Sequence, residues 1–313
     1  VALSALAQQA QQPRPFVPPD DVAWRKVNIM SEGVRMHGEV FTPKSAPPDR
    51  KLPTILMAHG WGGTAMALRR DAVLFARAGY YVLAFDYRGW GESDSRVILT
   101  GPPPAERPGG KFTAEVMEVR EVVDPLEFVT DWFNAIHWLA GEPQADMERL
   151  GLWGSSFSGG LTVYVAARDP RVKAVHSQVG ALDGRLSAVG DPKAREKTFS
   201  DSTRRARGEL GYPAPGTREV GNLRGAPIWS KFLYYAPVDD IANAPNCAFQ
   251  FVIAEKEELF DNKDHAIKAY ERARGPKRLI TVPGITHYGI YQPPAFQQSN
   301  KWAIEWFDLH LRK

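Results

Sequence analysis

Leu150-Gly151-Leu152-Trp153-Gly154-Ser155-Ser156-Phe157-Ser158-Gly159-Gly160 passes from a short apolar run into glycines and serines. An apolar run of this length reads as the end of a strand buried on both faces. The following residues fit a sharp strand-to-helix turn of the form G-x-S-x-G, with Ser156 at its apex. Small residues on either side let the backbone fold beneath the serine. Ser158 stands where the second glycine would be, a small residue in place of a smaller one. Ser155 and Ser158 compete as nucleophiles, but Ser156 alone has glycine two before it and small side chains after. A glycine-rich turn of this kind could equally hold a phosphate at the helix N-terminus.

Working outward, further strands of the same kind are predicted at Thr54–Ala58, Tyr80–Phe85, Ala174–His176, Ala248–Ile253 and Arg278–Val282. Trp24–Phe41 alternates as a strand pair turning at Glu32-Gly33. Helical spacing of apolar residues marks Met66–Ala78, Val119–Leu139, Gly159–Arg168, Asp264–Arg274 and Ser299–Leu311. Strands alternating with helices predict an open α/β sheet with right-handed crossovers. Residues 184–243 carry Pro, Gly and Arg but no strand run. A structureless loop of that length is improbable in a compact domain, so a helical insertion or lid is expected there.

Active groups in such sheets collect beyond the carboxyl ends of the strands. His59-Gly60-Trp61-Gly62-Gly63 follows one strand, and its glycines permit inward-pointing amides; Trp61 and Phe157 are the candidate backbone donors to an oxyanion. His59 itself reads as a brace for the loop. Asp86-Tyr87-Arg88-Gly89-Trp90-Gly91-Glu92-Ser93 follows the next strand as a shaping turn. Pro283-Gly284-Ile285-Thr286-His287-Tyr288-Gly289 follows the last. Together HGWGG, DYRGWGES and GSSFSGG, in this order, resemble the oxyanion loop, the D-x-R-G-x-G-x-S turn and the nucleophile elbow of the α/β-hydrolase superfamily. The resemblance runs from about Thr54 to the end. Val119–Gly160 is most similar to dienelactone-hydrolase-type and X-Pro-peptidase-like serine esterases.

The resemblance implies an α/β-hydrolase fold: a mostly parallel central sheet flanked by helices, with a lid. It also implies the catalytic order serine, acid, histidine. His287 then falls in the histidine loop, and the acid should follow Phe249–Ile253. The family's G-x-x-D register lands on Ala254-Glu255-Lys256-Glu257, with Glu257 as the acid and Glu258, Asp261 and Asp183 as rivals. The other histidines, His37, His137, His176, His265 and His310, read as packing or solvent-exposed. A serine at the elbow argues against the aspartate of dehalogenases and epoxide hydrolases, and against the cysteine of authentic dienelactone hydrolases.

The expected activity is carboxylic ester hydrolysis through an acyl-serine, on a small-molecule ester and with neither metal nor organic cofactor. Peptidase, thioesterase and C–C hydrolase activity on the same triad compete with it, as does a non-catalytic small-molecule binder. Trp90 and Arg185 are candidate substrate contacts. Asp239-Asp240-Ile241 resembles the family's return from lid to sheet and reads as structural.

Composition limits the rest. The chain has 313 residues, and a formal charge of +3 is too small to imply nucleic acid as a partner. The lone Cys247 excludes an intramolecular disulfide framework and a cysteine-based zinc cluster. No run reaches the ~18 apolar residues of a membrane span. Val1–Ala7 ends in Ala5-Leu6-Ala7, a signal-peptidase-like A-x-A, so export to the periplasm or medium is weighed against a cytoplasmic address. Length alone suggests two domains. Because the motifs follow successive strands of one sheet, a flexible arm over residues 1–20 and one domain over 21–313 are expected, with the lid at about 184–243. Composition gives no oligomeric state.

Overall fold

The structure, a computed structural model, describes residues 15–312. Eight strands form the central sheet: β1 (Val22–Ser31), β2 (Val34–Pro43), β3 (Leu52–Ala58), β4 (Tyr81–Phe85), β5 (Ala145–Ser155), β6 (Val172–Gln178), β7 (Ala248–Lys256) and β8 (Lys277–Thr286). Their spatial order is β1-β2-β4-β3-β5-β6-β7-β8. β1 and β2 pair antiparallel, as do β2 and β4. Every pairing from β4 to β8 is parallel. All residues of β3 and β4 are buried, as the continuous apolar runs require of strands covered on both faces.

The helices that cover the sheet are α1 (Arg69–Arg77), α2 (Pro125–Ala140), α3 (Phe157–Ala166) and α6 (Ala295–Leu311). α2 begins later than its periodicity suggests. Asp124 accepts hydrogen bonds from the amides of Leu126 and Glu127, and Pro125 takes the first helical position, where its missing N–H costs nothing. Val119 and Val122-Val123 are therefore strand residues, paired in two small two-stranded sheets. The helical spacing read through them is an accident of alternating valines. The pair Arg96–Leu99 and Val116–Val119 was not foreseen.

Between β6 and β7 the chain runs through α4 (Gly184–Val189), α5 (Pro192–Ala206) and short helical turns at Trp229–Phe232 and Pro237–Asp240. Of these, the turn at Pro237–Asp240 packs on α3, and Tyr235 just before it stacks on Tyr164 and meets Phe157 at the start of that helix. Of the arm expected over residues 1–20, residues 1–14, including the signal-like Val1–Ala7, lie outside the described residues. Its described end is held rather than free. Phe16 packs edge-on against Trp24 and Phe41 at 5.4 and 6.1 Å, and the Arg69 guanidinium lies 4.7 Å from its ring.

Candidate active site

Three side chains occupy equivalent places: each belongs to the residue immediately after a strand. Ser156 follows β5, Glu257 follows β7 and His287 follows β8. Ser156 holds φ 59° and ψ −126°, a strained conformation for a residue with a Cβ, costing of order 1–3 kcal/mol. The surrounding glycines make that turn possible. A Cβ on Gly154 would stand 2.4 Å from the Ser158 carbonyl oxygen, and one on Gly160 would stand 1.9 Å from that of Ala181. Ser158 is accommodated because its hydroxyl donates to the Ala58 carbonyl at 2.7 Å, tying the turn to the end of β3.

Ser156 Oγ lies 3.0 Å from His287 Nε2, and His287 Nδ1 lies 2.9 Å from both carboxylate oxygens of Glu257. Both the imidazole and the carboxylate are buried. This is an unbroken chain from hydroxyl to carboxylate, fit to move a proton off the serine. The rivals for the acid are engaged elsewhere. Glu258 accepts from the His287 backbone N–H, Asp261 accepts from the Lys263 amide, and Asp183 is bound by Arg185. Phe260 stands edge-on to His287 at 5.7 Å.

Gly60 presses the 59–63 loop against the serine turn; a Cβ there would meet the Ser155 carbonyl oxygen at 2.8 Å. His59 braces that loop. Its Nδ1 reaches the Gly60 carbonyl at 2.9 Å, and its ring packs on Tyr87 at 4.6 Å. Burial lowers its pKa, favouring the neutral ring. Neither the Trp61 nor the Phe157 amide donates to any acceptor among the described residues. Phe157 opens α3, where the first N–H groups have no intrahelical partner. Both amides are thus free to meet an anionic oxygen beside Ser156.

Two cavities meet at Ser156, sharing Trp61, Leu223 and Leu259 in their walls. The smaller, about 130 Å³, lies under the insertion and is largely apolar, walled by Phe157, Phe232 and Tyr235. The rings there form one cluster, with Phe157 5.6 Å from Phe232 and 5.4 Å from Tyr235. His265 also lines it, its Nδ1 accepting from the Leu182 amide at 2.8 Å. The larger, about 310 Å³, runs the other way, toward α1 and the turn at His287–Tyr291, past Trp153, Arg70 and Asp71. Behind it Ser299 donates to Gln178 Oε1, Gln178 Nε2 donates to Ser155 Oγ, and Ser155 meets the Tyr291 hydroxyl at 2.8 Å. Burial pushes the Tyr291 phenol up to about 12.

Two sequence candidates stand apart from both cavities. Trp90 is a core residue, not a substrate contact: it is 1% exposed, donates to the Val122 carbonyl and fills the space left by Gly225. The glycines around it bring the chain close enough to bury the ring. Arg185 lines neither cavity; its guanidinium bridges Asp183 and Asp239 and so ties α4 to the turn at Pro237–Asp240. The wall residues Asp71, Phe232 and Tyr235 were not singled out. The first is one acid in a helix, and the others sit in an insertion whose path only the fold reveals.

Residues 32–191 match the model of the X-Pro dipeptidyl-peptidase (S15) family. An uncharacterized 31.7 kDa protein in the traX-finO intergenic region of Escherichia coli is 25% identical over 287 residues, covering 83% of this chain and 92% of that one. Thiohydrolase aneE of Aspergillus aculeatus is 24% identical over 303 residues, covering 85% and 86%. Among solved structures, the α/β hydrolase GrgF from Penicillium superposes with a TM-score of 0.71 at 19% identity, covering 93% of this chain and all of that one. The fold is that of the α/β hydrolases.

Proposed function

The chain belongs to the X-Pro dipeptidyl-peptidase (S15) family of α/β hydrolases, and from that premise we propose that it hydrolyses carboxylic esters of small molecules through an acyl-serine intermediate. The observation that carries this reading is the 3.0 Å contact of Ser156 Oγ with His287 Nε2, continued at 2.9 Å to Glu257. His287 takes the hydroxyl proton as Ser156 attacks the carbonyl carbon. The charge that develops on the carbonyl oxygen falls to the Trp61 and Phe157 amides, each such donor being worth ~10²–10³ in rate. His287 then passes its proton to the leaving alkoxide. In the second half-reaction it takes a proton from water, whose oxygen attacks the acyl carbon; the bond to Ser156 Oγ then breaks, His287 returns the proton to the serine oxygen, and the acid is released. Glu257 keeps Nδ1 protonated and balances the imidazolium. An ester makes less demand on this machinery than an amide, since an alkoxide leaves more readily than an amide nitrogen.

Thioester cleavage is the second reading, favoured by the likeness to thiohydrolase aneE over most of both chains. It uses the same steps with a thiolate as leaving group. The test of both is hydrolysis of p-nitrophenyl butyrate and butyryl-thiocholine by wild type and Ser156→Ala, with mass spectrometry for a fluorophosphonate adduct on Ser156. The ester reading expects Ser156-dependent turnover of the aryl ester and an adduct on the Ser156 peptide. Full activity in Ser156→Ala would refute the nucleophile. Ser156-dependent cleavage of the thioester alone would transfer the conclusion to the second reading.

A further inference from the structure

The larger cavity holds polar groups that the acyl-transfer steps above do not use. Asp71, 5% exposed, lines its wall from the first turn of α1. Asp71 Oδ1 accepts from the Asn300 side chain of α6 at 2.9 Å, and no other side chain among the described residues donates to this carboxylate. A carboxylate so buried is costly unless a further donor meets it from the cavity. At the rim stands Arg70, exposed, stacked 4.0 Å over the Phe296 ring and in no ion pair.

These groups select a ligand by chemistry. A carboxylate arm would be repelled by Asp71. An ammonium would suit Asp71 but oppose Arg70. A hydroxyl donates to the carboxylate and brings no charge of its own, so it satisfies Asp71 without opposing Arg70. Ser155, Tyr291 and Gln178, on the same wall, are already mutually bonded and make no competing demand.

We propose that this cavity is a specificity subsite for a hydroxyl-bearing arm of the substrate, with Asp71 as the residue that reads the hydroxyl. The proposal rests on Ser156 being the nucleophile, since the arm enters from the reacting carbonyl. It leaves the acyl arm or a second apolar group to the smaller aromatic cavity.

The test uses matched pairs that differ only in a terminal hydroxyl: p-nitrophenyl hexanoate against p-nitrophenyl 6-hydroxyhexanoate, and pentyl acetate against 5-hydroxypentyl acetate. The p-nitrophenyl esters of 6-aminohexanoate and of adipate serve as charged controls. Wild type should favour the hydroxyl member of one pair by roughly tenfold or more in kcat/KM, the scale of a hydrogen bond to a charged acceptor. It should disfavour both charged arms. Asp71→Asn and Asp71→Ala should reduce that preference, read as the ratio of kcat/KM within each pair, to less than about twofold. Asn300→Ala breaks the same tie between α1 and α6 but leaves the carboxylate in place, so it should keep the preference.

Ser156-dependent hydrolysis with no hydroxyl preference in either pair would overturn the subsite and leave the esterase reading standing. Retention of the preference in Asp71→Ala, or its equal loss in Asn300→Ala, would overturn the role of Asp71. Absence of any Ser156-dependent hydrolysis in wild type would remove both readings together.

Discussion

Asp71→Asn should make the protein more stable, and by an amount that depends on pH. Burial raises the Asp71 carboxyl from 3.8 to about 6, against the smaller opposing effects of Asn300 and Arg70. Below pH 3.8 the group is protonated in both folded and unfolded chains and contributes nothing to the difference. As pH rises from about 4, the unfolded chain ionises first and gains free energy that the folded chain does not. The folded state catches up only above pH 6. At ~1.36 kcal/mol per pKa unit, this costs the wild type about 3 kcal/mol at pH 7.5 relative to pH 3.5. Asparagine keeps a partner for Asn300 but carries no charge to desolvate. The stability gap between Asp71→Asn and wild type should therefore widen by about 3 kcal/mol between pH 3.5 and 7.5, mostly between pH 4 and 6.5. Urea denaturation of both proteins at closely spaced pH values reads the gap directly, and every other titrating group cancels in the difference. A gap that stays constant across this range would refute the argument that Asp71 is a desolvated carboxylate. A gap that closes as pH rises would mean that the group finds a counter-charge the structure does not contain.

Glu257→Gln should lower kcat for p-nitrophenyl butyrate by ~10²–10⁴, because the amide cannot balance the imidazolium. Glu258→Gln, which keeps an acceptor for the His287 N–H, should stay within about threefold; reversed magnitudes would exchange the two residues' roles. Trp90→Ala should cost ~3–5 kcal/mol in urea titrations, as expected for emptying a buried indole site, while the hydroxyl preference of the folded enzyme persists. Arg185→Ala should leave the ratio of kcat/KM for the adipate and hexanoate esters unchanged, since its charge is spent on Asp183 and Asp239. A shift in that ratio would return it to the substrate site.

The parts of the site that were legible in the sequence are those where backbone geometry restricts the residue. The turn at Ser156 needs φ near 59° beneath a close-packed carbonyl, and so it advertises itself as glycines around serine after an apolar run. Glu257 and His287 could be located because each begins the loop after a buried strand, the place where a parallel sheet delivers its side chains. Where two strand ends meet in space, however, is a matter of register, and four carboxylates near that point were indistinguishable by type. The strand-end geometry separates them: β7 ends at Lys256 opposite Thr286 of β8, so the next residues on each, Glu257 and His287, are neighbours. Glu258 points its carboxylate at the backbone instead.

Asp71 had no such local signature. Its neighbours in sequence make an ordinary first helical turn, in which an acid is favourable for the helix dipole alone. What singles it out is contact with Asn300, 229 residues away, and a cavity shared with the catalytic Ser156 and His287. Trp90 misled for the converse reason, since an aromatic after a glycine turn has the same local appearance at a cavity mouth as in a core. Gly225, with φ 103° and no room for a Cβ beside the indole, closes over it from the insertion. On the reading proposed above, substrate choice falls to residues whose meaning is set by long-range packing, whereas the reaction falls to residues fixed by strand ends. A variant that redirects specificity should be sought on the cavity side of α1, at Arg70 and Asp71, and one that abolishes turnover at the ends of β5, β7 and β8.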